Sequence, residues 1–197
     1  GQRYTEAYDE WRTELERRYA ALADSLRAVG LTESERLTNE GYYAEHPRVG
    51  PDGRVVFAAL DGRSPAATRI LDPATGVTRN LSRRNGLGPS SWMPDGSILT
   101  AQLEFSGPYR IISDLYRITP DGRERRLTRG ARLGEPDVAS DGRRVVAIRY
   151  VGGTNQLVVH DLETGRTREI TEPRADVHWA LPRWSPDGQR IAVGHWE

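Results

Sequence analysis

The pattern of apolar and polar positions changes once along the chain, near residue 30. Before this point, apolar side chains recur at steps of three and four from Thr5 to Val29, which predicts one amphipathic helix capped by Gly30. These side chains are Tyr8, Trp11, Leu15, Tyr19, Leu22, Leu26 and Val29. After it, short apolar runs alternate with turns rich in Gly, Pro and Asp, which predicts β-strands. We therefore divide the chain into a helical region, 1–31, which continues from an upstream part of the protein, and a β region, 32–197.

The β region is a repeat with a period of about 45 residues. Four similar segments begin at His46, Pro89, Glu135 and Leu181, and each contains an Asp-Gly turn. The turns are Asp52-Gly53, Asp95-Gly96, Asp141-Gly142 and Asp187-Gly188. Asp can accept a hydrogen bond from the backbone of its own turn, and Gly takes the left-handed position, so we assign these eight residues a structural role.

Each repeat contains four predicted strands, which is typical of a β-propeller blade. The sequence predicts an all-β, partial propeller with three full blades and a half blade, preceded by one helix. The blades are 45–82, 88–128, 134–171 and, for the half blade, 181–197. Residues 35–38 precede the fourth strand of the first blade by one period and resemble it, so we expect them to complete the last blade of a longer ring. The chain is then expected to be a fragment of that ring.

Composition and charge exclude several classes of function. The chain has no Cys and a formal net charge of zero, which argue against a thiolate metal site and against a nucleic-acid binder. No apolar run is long enough to span a bilayer. All 28 basic residues are Arg. This fits either codon bias or recognition of carboxylate and phosphate groups.

Candidate catalytic chemistry is sparse. The four His residues are scattered, without the His-Glu-x-x-His pair of a zinc peptidase, and there is no Gly-x-Ser-x-Gly nucleophile motif. We interpret His46 and His160 as structural, and we place the four turn aspartates too far apart around the ring to form a metal site. The sequence predicts no catalytic residue, no metal and no cofactor.

Two sets of loops should lie on one face of the propeller, namely those between second and third strands and those between blades. Arg and aromatic residues are common at interface hot spots, so these loops predict a docking face for a protein or peptide. The candidates are Arg83, Arg84, Phe105, Tyr109, Arg110, Arg129, Arg132, Arg174, His178 and Trp179. The alternative is that Phe105, Tyr109 and Trp179 only cover seams between blades. Open blade edges also predict self-association.

The sequence Trp184–Gly188 reads WSPDG, and Trp92–Gly96 and Val138–Gly142 are variants of it. These motifs, with their spacing, resemble the TolB-like propeller repeat over residues 31–197. The resemblance implies a non-catalytic interaction platform in the periplasm, or another extracytoplasmic location, of a bacterium, although residues 1–30 are not a signal peptide. It also allows an accessory propeller of a peptidase whose catalytic domain lies outside this chain. A third possibility is a channel site for a small ligand or cation, built from Arg48, Asp137 and Arg183.

Overall fold

The computed structural model describes residues 3–30, 32, 34–39 and 41–196. The chain forms two compact units, Gly1–Arg36 and Leu37–Glu197. The first contains helix α1, Tyr4–Val29, which ends where Gly30 adopts a φ of 95°. Ion pairs one turn apart, such as Glu14 with Arg17, lie along α1, and none of its side chains is buried. Within the described residues, no helix has both the length and the apolar content needed to cross a bilayer.

The second unit is a series of antiparallel sheets in chain order, which confirms the partial propeller. Three sheets have four strands each and one has two, and within each sheet consecutive strands of the chain are paired. The first blade contains β1 Tyr43–Val49, β2 Val55–Leu60, β3 Ala67–Asp72 and β4 Val77–Arg83. The second contains β5 Ser90–Trp92, β6 Ile98–Phe105, β7 Ile111–Ile118 and β8 Glu124–Arg126. The third contains β9 Leu133–Val138, β10 Arg144–Val151, β11 Thr154–Asp161 and β12 Thr167–Glu169, and the half blade contains β13 His178–Trp184 and β14 Ile191–Trp196.

The predicted bounds differ from these in detail. Helix α1 begins one residue earlier than expected. The first blade and the half blade also begin earlier than predicted, at Tyr43 and His178 rather than at 45 and 181. Residues 34–39 carry no regular secondary structure. The proposed role of 35–38 as the closing strand of a longer ring therefore stays a prediction.

The four Asp-Gly turns have one geometry in all four blades. In each, the Asp Oδ1 accepts the backbone N–H two residues later, at distances from 2.8 to 3.1 Å. The Gly that follows has a φ between 65° and 82° and donates its N–H to the carbonyl three residues before it. A left-handed φ is inexpensive only for Gly, so the turn chemistry fixes where each second strand begins.

The hydrophobic core lies between blades. Because both faces of a middle strand are covered, its sequence is continuously apolar: in β10, Val145 and Ala147 pack with the second blade, whereas Val146 and Ile148 pack towards β13 and β14. The layer between the first two blades is formed by Val56, Ile70, Leu81, Ile98 and Ile118. Every blade therefore depends on its neighbour for burial.

The first strands lie side by side from blade to blade, and side chains join them. Ser91 Oγ accepts the N–H of Val138 at 2.9 Å, and Asp137 Oδ2 accepts the N–H of Trp184 at 2.8 Å. Trp92 Nε1 donates to the Arg48 carbonyl at 2.9 Å, and its indole lies against Gly50. These bonds satisfy backbone groups at the free edge of each sheet.

A buried carboxylate organises the end of the second blade. The fully buried Asp114 accepts hydrogen bonds from Thr128 Oγ1 and from the backbone N–H groups of Gly130 and Ala131, at 2.8 to 3.0 Å. It also pairs with Arg126 at 2.6 Å. Burial alone would raise the pKa of Asp114, but these donors outweigh burial and hold its pKa below the usual value.

The contact between Gly50 and Trp92 gives a test of the seam between the first two blades. A Cβ at Gly50 would lie 2.7 Å from the indole ring. We expect Gly50→Ala to lower the free energy of unfolding by about 1–3 kcal/mol, measured by urea denaturation. Gly88→Ala is the matched control, because a Cβ at Gly88 meets no atom within 4 Å and its φ is not left-handed. Equal stability of the two variants would contradict the packing described here.

Asp114 should be a major source of stability above pH about 4, its unfolded pKa. Asp114→Asn would place an amide N–H₂ among hydrogen-bond donors, and we expect a loss of about 2–4 kcal/mol. The folded pKa of Asp114 is lowered, so its contribution is lost as the pH falls through that value. The wild-type chain should lose stability on acidification more steeply than the variant. Asp176→Asn, in an exposed ion pair with Arg174, is the control and should change thermal stability little.

Candidate functional site

A cavity of about 880 Å³ lies at the end of the second unit where the first strands begin. We call it the mouth cavity. Four blades contribute to it through equivalent residues, which are His46, Pro89, Glu135 and Leu181. The loop between the first two blades (85–89) and the β10–β11 hairpin (151–154) complete its wall, together with both strands of the β6–β7 hairpin. Loops of both sets that the sequence singled out therefore line one cavity, although the β2–β3 loop of the first blade does not.

Three of the four equivalent residues lie in the same backbone irregularity. In β1, His46 and Pro47 together face a single residue of β2, and the same two-against-one bulge occurs at Glu135-Pro136 and Leu181-Pro182. His46, Glu135 and Leu181 have φ values of 54°, 51° and 52°. A left-handed φ costs a residue other than Gly about 1–3 kcal/mol. Such bulges turn side chains out of the regular alternation of the strand, and here these three residues line the mouth cavity.

The second blade has no bulge, for a simple stereochemical reason. Its equivalent residue is Pro89, whose ring fixes φ near −65° and so forbids the left-handed conformation. Strand β5 accordingly has only three residues and pairs with β6 in regular register. The mouth cavity is therefore asymmetric, with three irregular sides and one regular side.

Hydrogen bonds fix the polar wall of the mouth cavity. Glu135 accepts the N–H of Leu181 at 2.6 Å and the hydroxyl of Tyr150 at 3.2 Å. Burial, followed by the charge and hydrogen bonding of Glu135, raises the pKa of Tyr150 to about 12. Asn155 binds both backbone groups of Trp179 at 2.9 Å. Hydrogen bonds within the fold therefore hold these polar groups in place.

The predicted interface residues fall into several environments. Arg132 and His178 line the mouth cavity, and the ring of His178 stacks on Trp196 with centroids 6.2 Å apart. Phe105 and Tyr109 lie in the β6–β7 hairpin and are 78% and 99% exposed. These two aromatic side chains therefore do not cover a seam between blades. Among the candidate Arg residues, Arg83, Arg110 and Arg129 are exposed and lie outside the cavity wall.

Three other candidates are engaged within the fold. Arg84 is buried and forms an ion pair with Glu124 at 2.8 Å, so it joins the first two blades rather than facing solvent. Arg174 pairs with Asp176 within one exposed loop. Trp179 is half-buried against the core of the third blade. This agrees with the alternative interpretation, in which Trp179 covers a seam between blades.

A second set of equivalent residues lies two positions after His46, Pro89, Glu135 and Leu181 along the first strands. We call Arg48, Ser91, Asp137 and Arg183 the inner ring. Asp137 is buried and accepts hydrogen bonds from Trp184 N–H and from Ser91 Oγ at 3.3 Å. Burial raises the pKa of Asp137, while the Trp184 N–H, the charge of Arg48 and Ser91 partly oppose that rise. All four blades thus contribute one residue to this ring.

Potential metal ligands are scattered in the part of the chain that the structure describes. Among the described residues, no three His, Asp or Glu side chains are grouped so that they could hold a metal ion. His160 is buried, its Nδ1 lies 2.9 Å from Thr167 Oγ1, and burial lowers its pKa. His160 is therefore a structural residue of β11.

Sequence reasoning missed Glu135 and Leu181 as cavity residues and assigned His46 only to structure. The relevant signal was the residue directly before Pro at the start of each first strand. A Pro in a strand shows that the strand edge lacks an N–H donor at that position. It does not show that the residue before it takes a left-handed φ, because that conformation depends on the register of the neighbouring strand.

Comparison with known proteins agrees with this architecture. No family model matches the sequence, and no curated protein matches it. TolB from Acinetobacter baumannii superposes with a TM-score of 0.60 at 21% identity, over 81% of this chain and 38% of that chain. A putative TolB from Agrobacterium tumefaciens gives 0.62 at 22% identity, over 78% and 56%. A structure from a study of two prolyl endopeptidases gives 0.55 at 14% identity, over 78% and 25%.

The chain therefore spans 38% and 56% of the length of the two TolB chains. At these identities the similarity shows the fold alone. The superpositions cover most of the β region. The repeated blades, the four equivalent turns and these superpositions lead to one conclusion: the chain has the fold of the TolB-like β-propellers.

Proposed function

We propose that this propeller is a non-catalytic platform that docks a protein or peptide at the mouth cavity. The observation that carries the proposal is the bulge repeated at His46, Glu135 and Leu181. Three strained residues in equivalent positions all line one cavity, and strained backbone tends to cluster at binding sites. An extracytoplasmic location in a bacterium is part of this proposal.

The size and surroundings of the mouth cavity support a peptide-like occupant. Its volume of about 880 Å³ lies in the range of ligand sites, and its wall mixes apolar groups with a few fixed polar ones. The β6–β7 hairpin lines the cavity through Leu103 and Ile111, and its exposed Phe105 and Tyr109 lie in the same hairpin. Exposed aromatic side chains beside a concave site are typical anchors for a protein partner.

A second candidate function is an accessory propeller that serves a peptidase domain in a longer protein. The similarity to a prolyl endopeptidase structure, of which this chain covers 25%, favours it. Both candidates use the mouth cavity as the docking surface, and they differ only in whether the docked chain is a partner or a substrate.

The docking proposal can be tested by filling the mouth cavity. Peptides selected on the immobilised chain should bind the wild type and lose affinity by at least about tenfold in Gly88→Trp, measured by fluorescence anisotropy. Gly88 lines the cavity, and a Cβ there meets no atom within 4 Å, so the indole should enter the cavity without disturbing the fold. Val77→Trp, on the exposed strand β4, is the matched control. Equal affinity for the two variants would place docking elsewhere.

The non-catalytic part of the proposal predicts no turnover of peptide, ester or glycoside substrates by the purified chain. The physical reason is that the polar groups of the mouth cavity are hydrogen-bonded to the fold rather than arranged as a nucleophile and its base. Chromogenic and mass-spectrometric assays measure this. Hydrolysis that disappears in His46→Ala or His178→Ala, but persists in His195→Ala, would show that the cavity is an active site.

A further inference from the structure

Helix α1 carries a stripe of large apolar side chains along nearly its whole length. At about 100° of rotation per residue, the seven side chains from Tyr8 to Val29 fall within an arc of about 80°. Six of them are between 48% and 85% exposed, and Leu15 is half-buried. A continuous apolar stripe that faces solvent marks an interaction surface. We call it the α1 stripe, and its residues are Tyr8, Trp11, Leu15, Tyr19, Leu22, Leu26 and Val29.

The width of the α1 stripe indicates the kind of partner that covers it. A helix that lies on a globular core presents an apolar face at least about 100° wide, whereas the seam between two helices is narrower. From Tyr8 to Val29 the stripe advances 21 residues in six steps, or about 3.5 residues per step, which is the spacing of a seam between paired helices. The partner that fits this stripe is therefore another helix.

The charges of α1 argue against a membrane surface as the partner. Helices that lie on lipid are rich in Lys and Arg on their polar face. Residues 4–29 contain six carboxylates and four guanidinium groups, which gives a net charge of −2. Anionic headgroups would repel this helix.

The two halves of α1 are complementary to each other in charge. Residues 4–15 contain four carboxylates and one Arg, a net charge of −3, whereas residues 16–29 contain two carboxylates and three Arg, a net charge of +1. Two copies of α1 that run antiparallel place the acidic half of each beside the basic half of the other. Two parallel copies place the acidic halves together and align the helix dipoles unfavourably. The charges therefore favour an antiparallel pair of identical helices.

The sizes of the side chains favour the same arrangement. The α1 stripe is mainly aromatic towards its N-terminal end and aliphatic towards its C-terminal end, and the steps from Tyr8 to Leu15 (three, then four) mirror the steps back from Val29 to Leu22. In the antiparallel register each aromatic side chain at one end meets an aliphatic one, so the helix axes can stay evenly spaced. The contacts in this register are Tyr8 with Val29, Trp11 with Leu26, and Leu15 with Leu22.

We propose that α1 pairs antiparallel with α1 of a second copy of this chain through the α1 stripe. The paired segment is about 30 Å long, and the pairing removes its exposed apolar side chains from water. Only residues of α1 enter this inference, so it is independent of docking at the mouth cavity.

The first test is the association of the full chain, measured by sedimentation equilibrium. We expect a dimer whose dissociation constant rises by at least about tenfold in Leu15→Lys and in Leu22→Glu, because each variant places a charge in the α1 stripe. Ala21→Lys and Ala28→Glu put the same charges on the opposite side of the helix, so these matched controls should leave the dimer intact. A monomeric wild-type chain would overturn the proposal. A dimer that is insensitive to both stripe variants would also overturn it and would indicate pairing through blade edges.

A mixture of the two stripe variants tests the direction of pairing. In the antiparallel dimer position 15 of one copy meets position 22 of the other, so Leu15→Lys mixed with Leu22→Glu should form a heterodimer that neither variant forms alone. In a parallel dimer each position meets its own counterpart, and mixing would restore nothing. Recovery in the mixture also shows that the single variants lost pairing rather than their fold.

Disulfide trapping gives an independent test, because the chain contains no Cys and the background is therefore absent. Under oxidation, Tyr8→Cys mixed with Val29→Cys should form a covalent heterodimer, whereas Tyr8→Cys alone should stay uncrosslinked. Non-reducing electrophoresis and intact-mass spectrometry measure the products. Crosslinking of Tyr8→Cys to itself, without crosslinking in the mixture, would contradict the antiparallel pair.

Discussion

The structure depends on how the free edge of each first strand is satisfied. Every blade is a separate antiparallel sheet, so its first strand pairs on one side only and presents backbone N–H groups to the neighbouring blade. A β-ladder across that gap would merge the sheets. Instead, Ser91 and Asp137 each accept one N–H from the next blade. These side chains hold the blades close enough to pack while keeping the sheets distinct.

The apolar layers follow from this arrangement. Because the first strands are held side by side, the middle strands face each other, and both faces of β10 are buried between neighbouring blades. Stability is thus shared between polar bonds at the first strands and apolar packing further out. Asp137 accepts the N–H of Trp184 across the seam between blades and also interacts with the charge of Arg48. A substitution at Asp137 therefore alters the joint between blades and the charge of the inner ring together.

The parts of the structure that the sequence predicted are those determined by local chemistry. The Asp-Gly turns, the four-strand repeat and helix α1 each depend on a few adjacent residues, and they lie close to where the pattern places them. The parts it did not predict depend on contacts between distant residues. Arg84 belongs to a loop in the sequence, yet its side chain is buried and pairs with Glu124, forty residues away. The left-handed φ at Glu135 and Leu181 depends on the register of the paired strand, which no local motif encodes.

At the mouth cavity, the backbone geometry of the bulges does not depend on which side chain occupies them. At the three bulged positions the chain carries His, Glu and Leu, side chains that are basic, acidic and apolar, on nearly the same backbone geometry. The bulge therefore tolerates very different side chains, because its conformation depends on the register of the paired strand rather than on the residue that occupies it. In a propeller built this way, exchanging residues at these positions changes the side chains that line the cavity without rebuilding the blades.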